Sequence, residues 1–526
     1  MTNLGFQTVY HLFNGLDRVV CERAFLPSKE DMDEFTRTGT QLFSYESQTP
    51  IREFDIIAFS VPFEDDYMNI PRILDLAEIP VFSSERGAAP VIIAGGVAIS
   101  LNPEPVAEFI DLFLIGEGEG SLLPFIDLFR RLKEEGLSKG YVLKGLDSIK
   151  WAYVPSLYEF SYDGAKIKEV KAAPGAKEKV LAAKNFDLDK FDVPENYILT
   201  PDTEFKDTFL MEVERGCGRG CRFCAAGFLY LPPRWRDVES IKGEVKKGID
   251  ATGKVGLIGT AVSEYPEIKE TLSFGIENNG VLTLSSLRLD KLDEEFLALL
   301  KKGGYKTITL APEAGTERMR NVVNKGITDA EIMESIRLIA EAGFLKVKLY
   351  YLIGLPSETD IDAEGIVELT LRIKEVMKRG EITLSINPFI PKPFTPFQWS
   401  GFEDAGTVDR RLSIITKGLS KERSITIHSM SAKEAFIQAY IARADRRAGA
   451  VILEASKSGW KRAIKSAGQF LPDSVYLGRS KEDILPWDIL DHGVKKTYLW
   501  KEHQKGLKGI LTPPCDVGNC FRCGVC

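Results

Sequence analysis

The sequence predicts an α/β protein: an N-terminal doubly wound parallel sheet, a partial (β/α)6 barrel, and a mainly helical C-terminal region ending in a cysteine-rich tail. Three observations predict it. Short continuous apolar runs alternate with helical stretches over residues 1–152. Six strand-then-helix repeats then run from Phe209 to about Trp399. Seven of the eight cysteines fall in two tight groups, one opening those repeats and one closing the chain.

At 526 residues the chain is too long for one ordinary domain. The expected divisions are 1–152 for the first sheet, 153–206 for a linker with a hairpin, 207–402 for the barrel, 403–510 for the helical region and 511–526 for the tail. Sixty-eight basic against 76 acidic residues give a net charge of −8, so nucleic acid is not indicated as a partner. The N-terminus lacks a basic region followed by an apolar core, and no apolar run approaches a bilayer span. A cytoplasmic protein without a membrane span is expected. Cysteines clustered at ligand spacing then predict metal rather than disulfides. Cys21 stands alone and predicts a small buried apolar residue.

In the first third, Ile56–Ser60 and Ile79–Phe82 read as buried strands, with a helix from Asn69 to Leu76 between them. Val91–Ala94 is a third strand, ending in Gly95-Gly96. Asp111–Ile115 is a fourth, ending in Gly116-Glu117-Gly118-Glu119-Gly120. Ligands of such sheets lie at the carboxyl ends of the strands, where a missing side chain permits close approach. Tyr162-Asp163-Gly164-Ala165 marks a hairpin in the linker.

The barrel opens with Phe209-Leu210-Met211 and a glycine-rich turn carrying Cys217, Cys221 and Cys224 at C-x3-C-x2-C spacing. Such a turn aims three thiolates at one point. A cubane iron–sulfur cluster has four irons, so three ligands leave one iron open. Candidate strands follow at 255–259, 281–286, 306–311, 346–352 and 382–387. Thr328-Asp329-Ala330-Glu331 predicts a capping box, starting a helix that sets Ile332, Ile336 and Ile339 on one face. The proline-rich stretch 388–399 cannot continue a central strand and is expected to fold over the barrel mouth. By analogy with full barrels, active groups belong at the strands' carboxyl ends.

The cysteine loop, with Phe223 before its last cysteine, resembles that of the radical SAM superfamily. The glycine turns ahead of it resemble the cobalamin-binding domains that precede many radical SAM domains. The resemblance implies a 4Fe–4S cluster on Cys217, Cys221 and Cys224, with S-adenosylmethionine at the open iron. It implies a cofactor site comprising Phe223, Gly259 and Thr260, Ser286 and Arg288, Glu313, and Gly354. For cobalamin it implies Gly95, Gly96, Gly116, Glu117 and Gly118. The Asp-x-His-x-x-Gly motif of such domains is missing, and His11 is the sole histidine in this third, expected as a packed residue. Cobalamin bound without a protein ligand to cobalt, or the fold without the cofactor, both fit. An electron donor such as flavodoxin or ferredoxin is the implied partner.

The helical region contains a long predicted helix from Ala432 to Ala448, with a charged, solvated face at Arg443-Ala444-Asp445-Arg446-Arg447. The tail carries Cys515, Cys520, Cys523 and Cys526 at C-x4-C-x2-C-x2-C spacing. Four thiolates fit a second iron–sulfur cluster or one zinc ion. The leading functional expectation is cobalamin-dependent methylation of an unactivated carbon. The alternatives are radical rearrangement or sulfur insertion using a tail cluster, and a non-catalytic metal-sensing or scaffold protein.

Overall fold

The computed structural model describes residues 3–87, 90–468 and 470–526. Two compact units result, each assembled from separated stretches of chain: Gly5–Asn185 with Ile437–Gly493, and Phe186–Phe436 with Val494–Cys526.

The first unit is built on strands β1 (Ile56–Ser60), β2 (Val91–Gly95), β3 (Leu112–Leu114) and β4 (Ala152–Tyr153), in that spatial order. The first three are parallel and β4 is an antiparallel edge. Val91, Ile93 and Leu112 pack with Phe125, Ile126 and Phe129 of the helix Leu122–Glu134 in one apolar core. The expected hairpin forms between Tyr158–Asp163 and Lys166–Ala172.

Four expectations fail in this unit or at its border. Ile79–Phe82 is not a strand: Pro80 has no N–H to give, and the Pro80 and Val81 carbonyls each accept from Arg86 at 3.1 Å. The helix expected over 432–448 is broken into Ala432–Arg443 and Ala448–Ser458. The charges beside that break are not a solvated face. Arg443 is fully buried and donates to the Ser474 and Leu477 carbonyls, and Arg446 pairs with buried Glu104 at 2.9 Å. His11 is exposed on the helix Leu4–Asn14 rather than packed.

The second unit contains seven parallel strands in two sheets. Strands β5 (Phe209–Glu212), β6 (Lys254–Ile258) and β7 (Val281–Leu284) form one sheet, with β6 central. Strands β8 (Thr307–Glu313), β9 (Lys346–Ile353), β10 (Glu381–Pro388) and β11 (Ile425–Ser429) form the other, in sequence order. Alternate side chains of β9 and β10 are buried, and those between them are mostly half-buried. The capping box at Thr328 and Glu331 is present, and Ile332, Ile336 and Ile339 are fully buried. Such a cap contributes about 1 kcal/mol to the helix it starts.

The barrel sheet thus runs one strand past the expected boundary at residue 402. Ile425 and Ile427 are only half-buried, so β11 has a weak apolar signature. Nor is 403–510 one helical region: 403–436 and 494–510 belong with the barrel strands, and 437–493 with the first sheet. Among the described residues no helix is long and apolar enough to cross a membrane.

Candidate metal centre and cofactor site

The cysteine loop leaves β5 and is tied at its neck. Glu214-Arg215 pairs antiparallel with Arg234-Trp235, closing residues 216–233 into one lobe. Gly216 adopts φ +91°, and a β-carbon there would lie 2.3 Å from the Tyr230 carbonyl oxygen, so only glycine fits the neck. Cys224 N–H donates to the Cys221 carbonyl at 3.0 Å. Cys217 lies within electrostatic reach of both Cys221 and Cys224. Burial pushes Cys217 up to about 12 and Cys224 up to about 11, so these two thiols stay protonated near neutrality without metal. Iron binding must displace those protons. Among the described residues, no three His, Cys, Asp or Glu side chains converge closely enough for a single metal ion. A cubane spreads its ligands over separate corners instead.

Phe223 is half-buried. It packs against an apolar cluster that includes Ala314 after β8, Leu355 after β9, and Phe389 and Phe397 after β10. It therefore fixes the loop to the strand ends. Contrary to expectation, Pro388 still belongs to β10, where it pairs with Ile353; beyond it Phe397 and Trp399 pack edge-on to His503 and Trp500 of the helix Lys496–Leu507.

The turn after β6 is knitted to the end of β7. Ser285 Oγ contacts both the N–H and the carbonyl of Gly259, at 3.2 and 3.0 Å. Ser286 Oγ accepts from Val262 N–H at 2.9 Å, and Ser263 Oγ accepts from Arg288 N–H at 2.9 Å. Beneath the turn lies Glu214, which sequence reasoning missed. Its carboxylate accepts from Ala261 N–H at 2.6 Å, next to Thr260. A β-carbon at Gly259 would fall 2.4 Å from Glu214 Oε1, so the glycine makes room for the acid. Burial pushes Glu214 up to about 7, with the Ala261 and Thr260 N–H groups opposing the shift.

Arg288 is not a free anion receptor. Its guanidinium holds Asp290 at 2.8 Å and lies 3.6 Å from Glu264, which also binds Arg219 Nε at 2.6 Å. Glu313 adopts φ +70°, turned by the irregularity at Ala311-Pro312 that ends the regular β8–β9 register. Its carboxylate pairs with Lys325 at 3.1 Å. Both charges act on the thiols: Lys325 on Cys221 and Cys224, Glu313 on Cys224. Lys325 carried no sequence signal. Gly354 adopts φ +78°, and its N–H is bound by Glu358.

The tail does not stand apart. Arg222, inside the cysteine loop and fully buried, donates to Glu502 at 3.1 Å and to the carbonyls of Asn321, Val322 and Ile510. Gly506 lets the helix Lys496–Leu507 approach, since a β-carbon there would be 2.9 Å from Arg222. Asn324 donates to the Arg219, Gly220 and Thr512 carbonyls at 3.2 Å each and accepts from Thr512 N–H at 2.8 Å. Cys515 N–H donates to the Gly218 carbonyl at 2.7 Å.

The glycine turns of the first unit divide into an open and a closed end. Ser60, Phe63, Gly96 and Val97 are exposed at the carboxyl ends of β1 and β2. Gly95 beside them has room, its nearest neighbour being the Leu114 carbonyl at 3.4 Å. Gly96 is glycine because a β-carbon would meet the Val61 backbone at 2.6 Å. After β3 the expected ligand turn is filled by the chain itself. A β-carbon at Gly116 would lie 2.2 Å from the Ala183 carbonyl oxygen, and Glu117 N–H donates to that same carbonyl. The buried Glu117 carboxylate accepts from Asn185 N–H at 2.9 Å. Gly118 packs on Val9 and Leu122. Gly116, Glu117 and Gly118 therefore all meet residues of the chain itself.

Residues 5–155 match the family model described as radical SAM proteins, N-terminal, and residues 211–370 that of the radical SAM superfamily. An uncharacterised protein of Methanocaldococcus jannaschii is 32% identical over 79% of this chain and 83% of its own length. The anaerobic magnesium-protoporphyrin IX monomethyl ester cyclase of Cereibacter sphaeroides is 26% identical over 55% of this chain and 44% of its own. Among solved structures, the radical S-adenosylmethionine methyltransferase TsrM from Kitasatospora setae overlays 73% of this chain and 70% of its own, at 14% identity and a TM-score of 0.48. With both domain models in order and a relative matched over most of its length, the chain belongs to the radical SAM superfamily.

Proposed function

We propose that this protein cleaves S-adenosylmethionine reductively and uses the resulting radical to methylate an unactivated carbon. The observation that carries the reading is the lobe 216–233, where Cys217 lies within electrostatic reach of Cys221, Cys224 and Glu264 of the turn after β6. A 4Fe–4S cluster with one open iron supplies one-electron reduction of a bound sulfonium, and the protein supplies the binding and orientation.

Cys217, Cys221 and Cys224 hold that cluster. The main chain of Gly259 and Thr260, braced by Ser285, Ser286 and Glu214, receives the amino end of the cosubstrate. Arg288 takes part only by sharing itself with Asp290 and Glu264. Lys325 offsets negative charge that thiolates and Glu313 bring together. Glu313 at the end of β8 and Gly354 after β9 line the side where the nucleoside lies.

A corrinoid, which would carry the methyl group, fits the open edge at Ser60, Phe63, Gly95 and Gly96 and not the closed turn at Gly116. The tail cysteines hold iron–sulfur or zinc. A one-electron donor of the flavodoxin or ferredoxin kind is the partner. One observation favours a second reading, sulfur insertion or rearrangement using a tail cluster: Cys515 lies directly on the cysteine loop.

The test is anaerobic incubation with S-adenosylmethionine and reductant, with corrinoid measured in the same preparation. Methylation predicts bound corrinoid, 5′-deoxyadenosine and S-adenosylhomocysteine. Deoxyadenosine alone, in protein without corrinoid, favours the second reading. Absence of both nucleoside products overturns both.

A further inference from the structure

The tail brings four thiols to the wall of the cysteine loop. Cys515 is anchored through its N–H to the Gly218 carbonyl at 2.7 Å. A β-carbon at Gly218 would lie 3.1 Å from the Cys515 β-carbon, so glycine at 218 permits the contact. Cys520, Cys523 and Cys526 all lie within electrostatic reach of Cys515. The quartet has two sides. Cys515 abuts the loop, whereas Cys526 is exposed and Phe521 beside it is 66% exposed.

The tail needs no ion to hold it in place. Arg222 grips Glu502 and the Ile510 carbonyl, Asn324 grips Thr512, and Lys495 N–H donates to the Cys523 carbonyl at 2.9 Å. Gly524 lets the chain lie on the Lys495 stem, which a β-carbon would meet at 2.6 Å. Pinning the tail, the usual use of a structural zinc, is already done by these contacts. Arg522 Nε donates to Cys520 Sγ at 3.1 Å while its other end holds the Pro513 and Pro514 carbonyls. A fixed guanidinium on a ligand sulfur stabilises negative charge there, one of the ways proteins tune iron–sulfur clusters.

We propose that Cys515, Cys520, Cys523 and Cys526 hold a second iron–sulfur cluster that is the electron inlet to the cluster on Cys217, Cys221 and Cys224. This rests on the reading of the cysteine loop given above. One electron leaves a reduced one-electron carrier docked at the exposed Cys526 side, and the carrier is oxidised by one unit. The tail cluster is reduced, then passes that electron to the loop cluster across the Cys515–Gly218 contact and returns to its oxidised state. No bond is made or broken and no proton moves.

The experiment compares three full-length proteins reconstituted anaerobically: wild type, C217S/C221S/C224S and C515S/C520S/C523S/C526S. Iron, sulfide and zinc are counted, and cluster reduction is timed with reduced flavodoxin and separately with dithionite. The expected result is about eight irons in wild type and about four in each variant. The tail variant should still be reduced by dithionite, with flavodoxin-driven reduction slower by an order of magnitude. Wild-type iron in the tail variant, zinc in place of iron in the wild type, or an unchanged flavodoxin rate would overturn the proposal. Failure of the cysteine-loop reading looks different: the loop variant would then keep all the iron of the wild type.

Discussion

Replacing Arg222 by methionine tests the link between the loop and the C-terminal segment. Met is close in length and keeps the apolar stem, so the change removes the charged fork with little loss of volume. The guanidinium is fully buried and serves Glu502, Asn321, Val322 and Ile510. Breaking one side of a buried pair costs about 3–5 kcal/mol because the remaining charge is stranded. Glu502 keeps Thr512 at 2.8 Å and Lys505 at 2.9 Å, which places the cost near the lower end, about 3 kcal/mol. That is roughly a hundredfold in an opening equilibrium. Hydrogen–deuterium exchange of metal-free protein reads it directly. Amides of the helix Lys496–Leu507 should exchange about two orders of magnitude faster in R222M, while those of β6 stay unchanged. E502Q alone should cost less, and R222M/E502Q should cost less than the two single changes summed. Exchange in that helix within threefold of wild type would refute the reasoning.

Other perturbations follow from the same geometry. Glu214 is raised to about 7 by burial, so between the unfolded value near 4.5 and about 7 the folded form holds a proton that the unfolded chain has released. Its contribution to stability is complete below that window and is lost as pH rises through about 7. E214Q should flatten that part of the metal-free protein's stability-versus-pH curve, and an unchanged slope counts against the assignment. Gly259→Ala sets a methyl group on the Glu214 carboxylate and should cost about 1–3 kcal/mol of stability, with weaker S-adenosylmethionine binding measured by calorimetry. A G259A protein that binds as tightly as wild type would show the turn is not used. Lys325→Met removes a cation beside Cys221, which should move the loop cluster's potential to more negative values in a redox titration. A positive shift would contradict its electrostatic role.

What the sequence conveyed was local. The barrel strands announce themselves through alternation, as in β9 and β10, and the helix after Thr328 through its cap and its isoleucine spacing. The cysteine loop is equally local, three ligands within eight positions. Pairings across long stretches of chain leave no such trace. Arg222 and Glu502 are 280 residues apart, and nothing in either neighbourhood names the other. For the same reason the tail read as an appendage, and Arg446, which meets Glu104 342 residues away, read as a surface charge. Glycine-rich turns mislead in a different way. At Gly116 the missing side chain admits Ala183 of the same chain rather than a ligand, and sequence cannot tell the two visitors apart.

The most direct measurement is the electron paramagnetic resonance spectrum of the dithionite-reduced C515S/C520S/C523S/C526S protein, with and without S-adenosylmethionine. Only the loop thiols remain as cluster ligands there. The expected result is a reduced 4Fe–4S signal whose g-values change on adding S-adenosylmethionine, as binding at an open iron requires. A cluster signal indifferent to S-adenosylmethionine, or no cluster at all, would contradict the account.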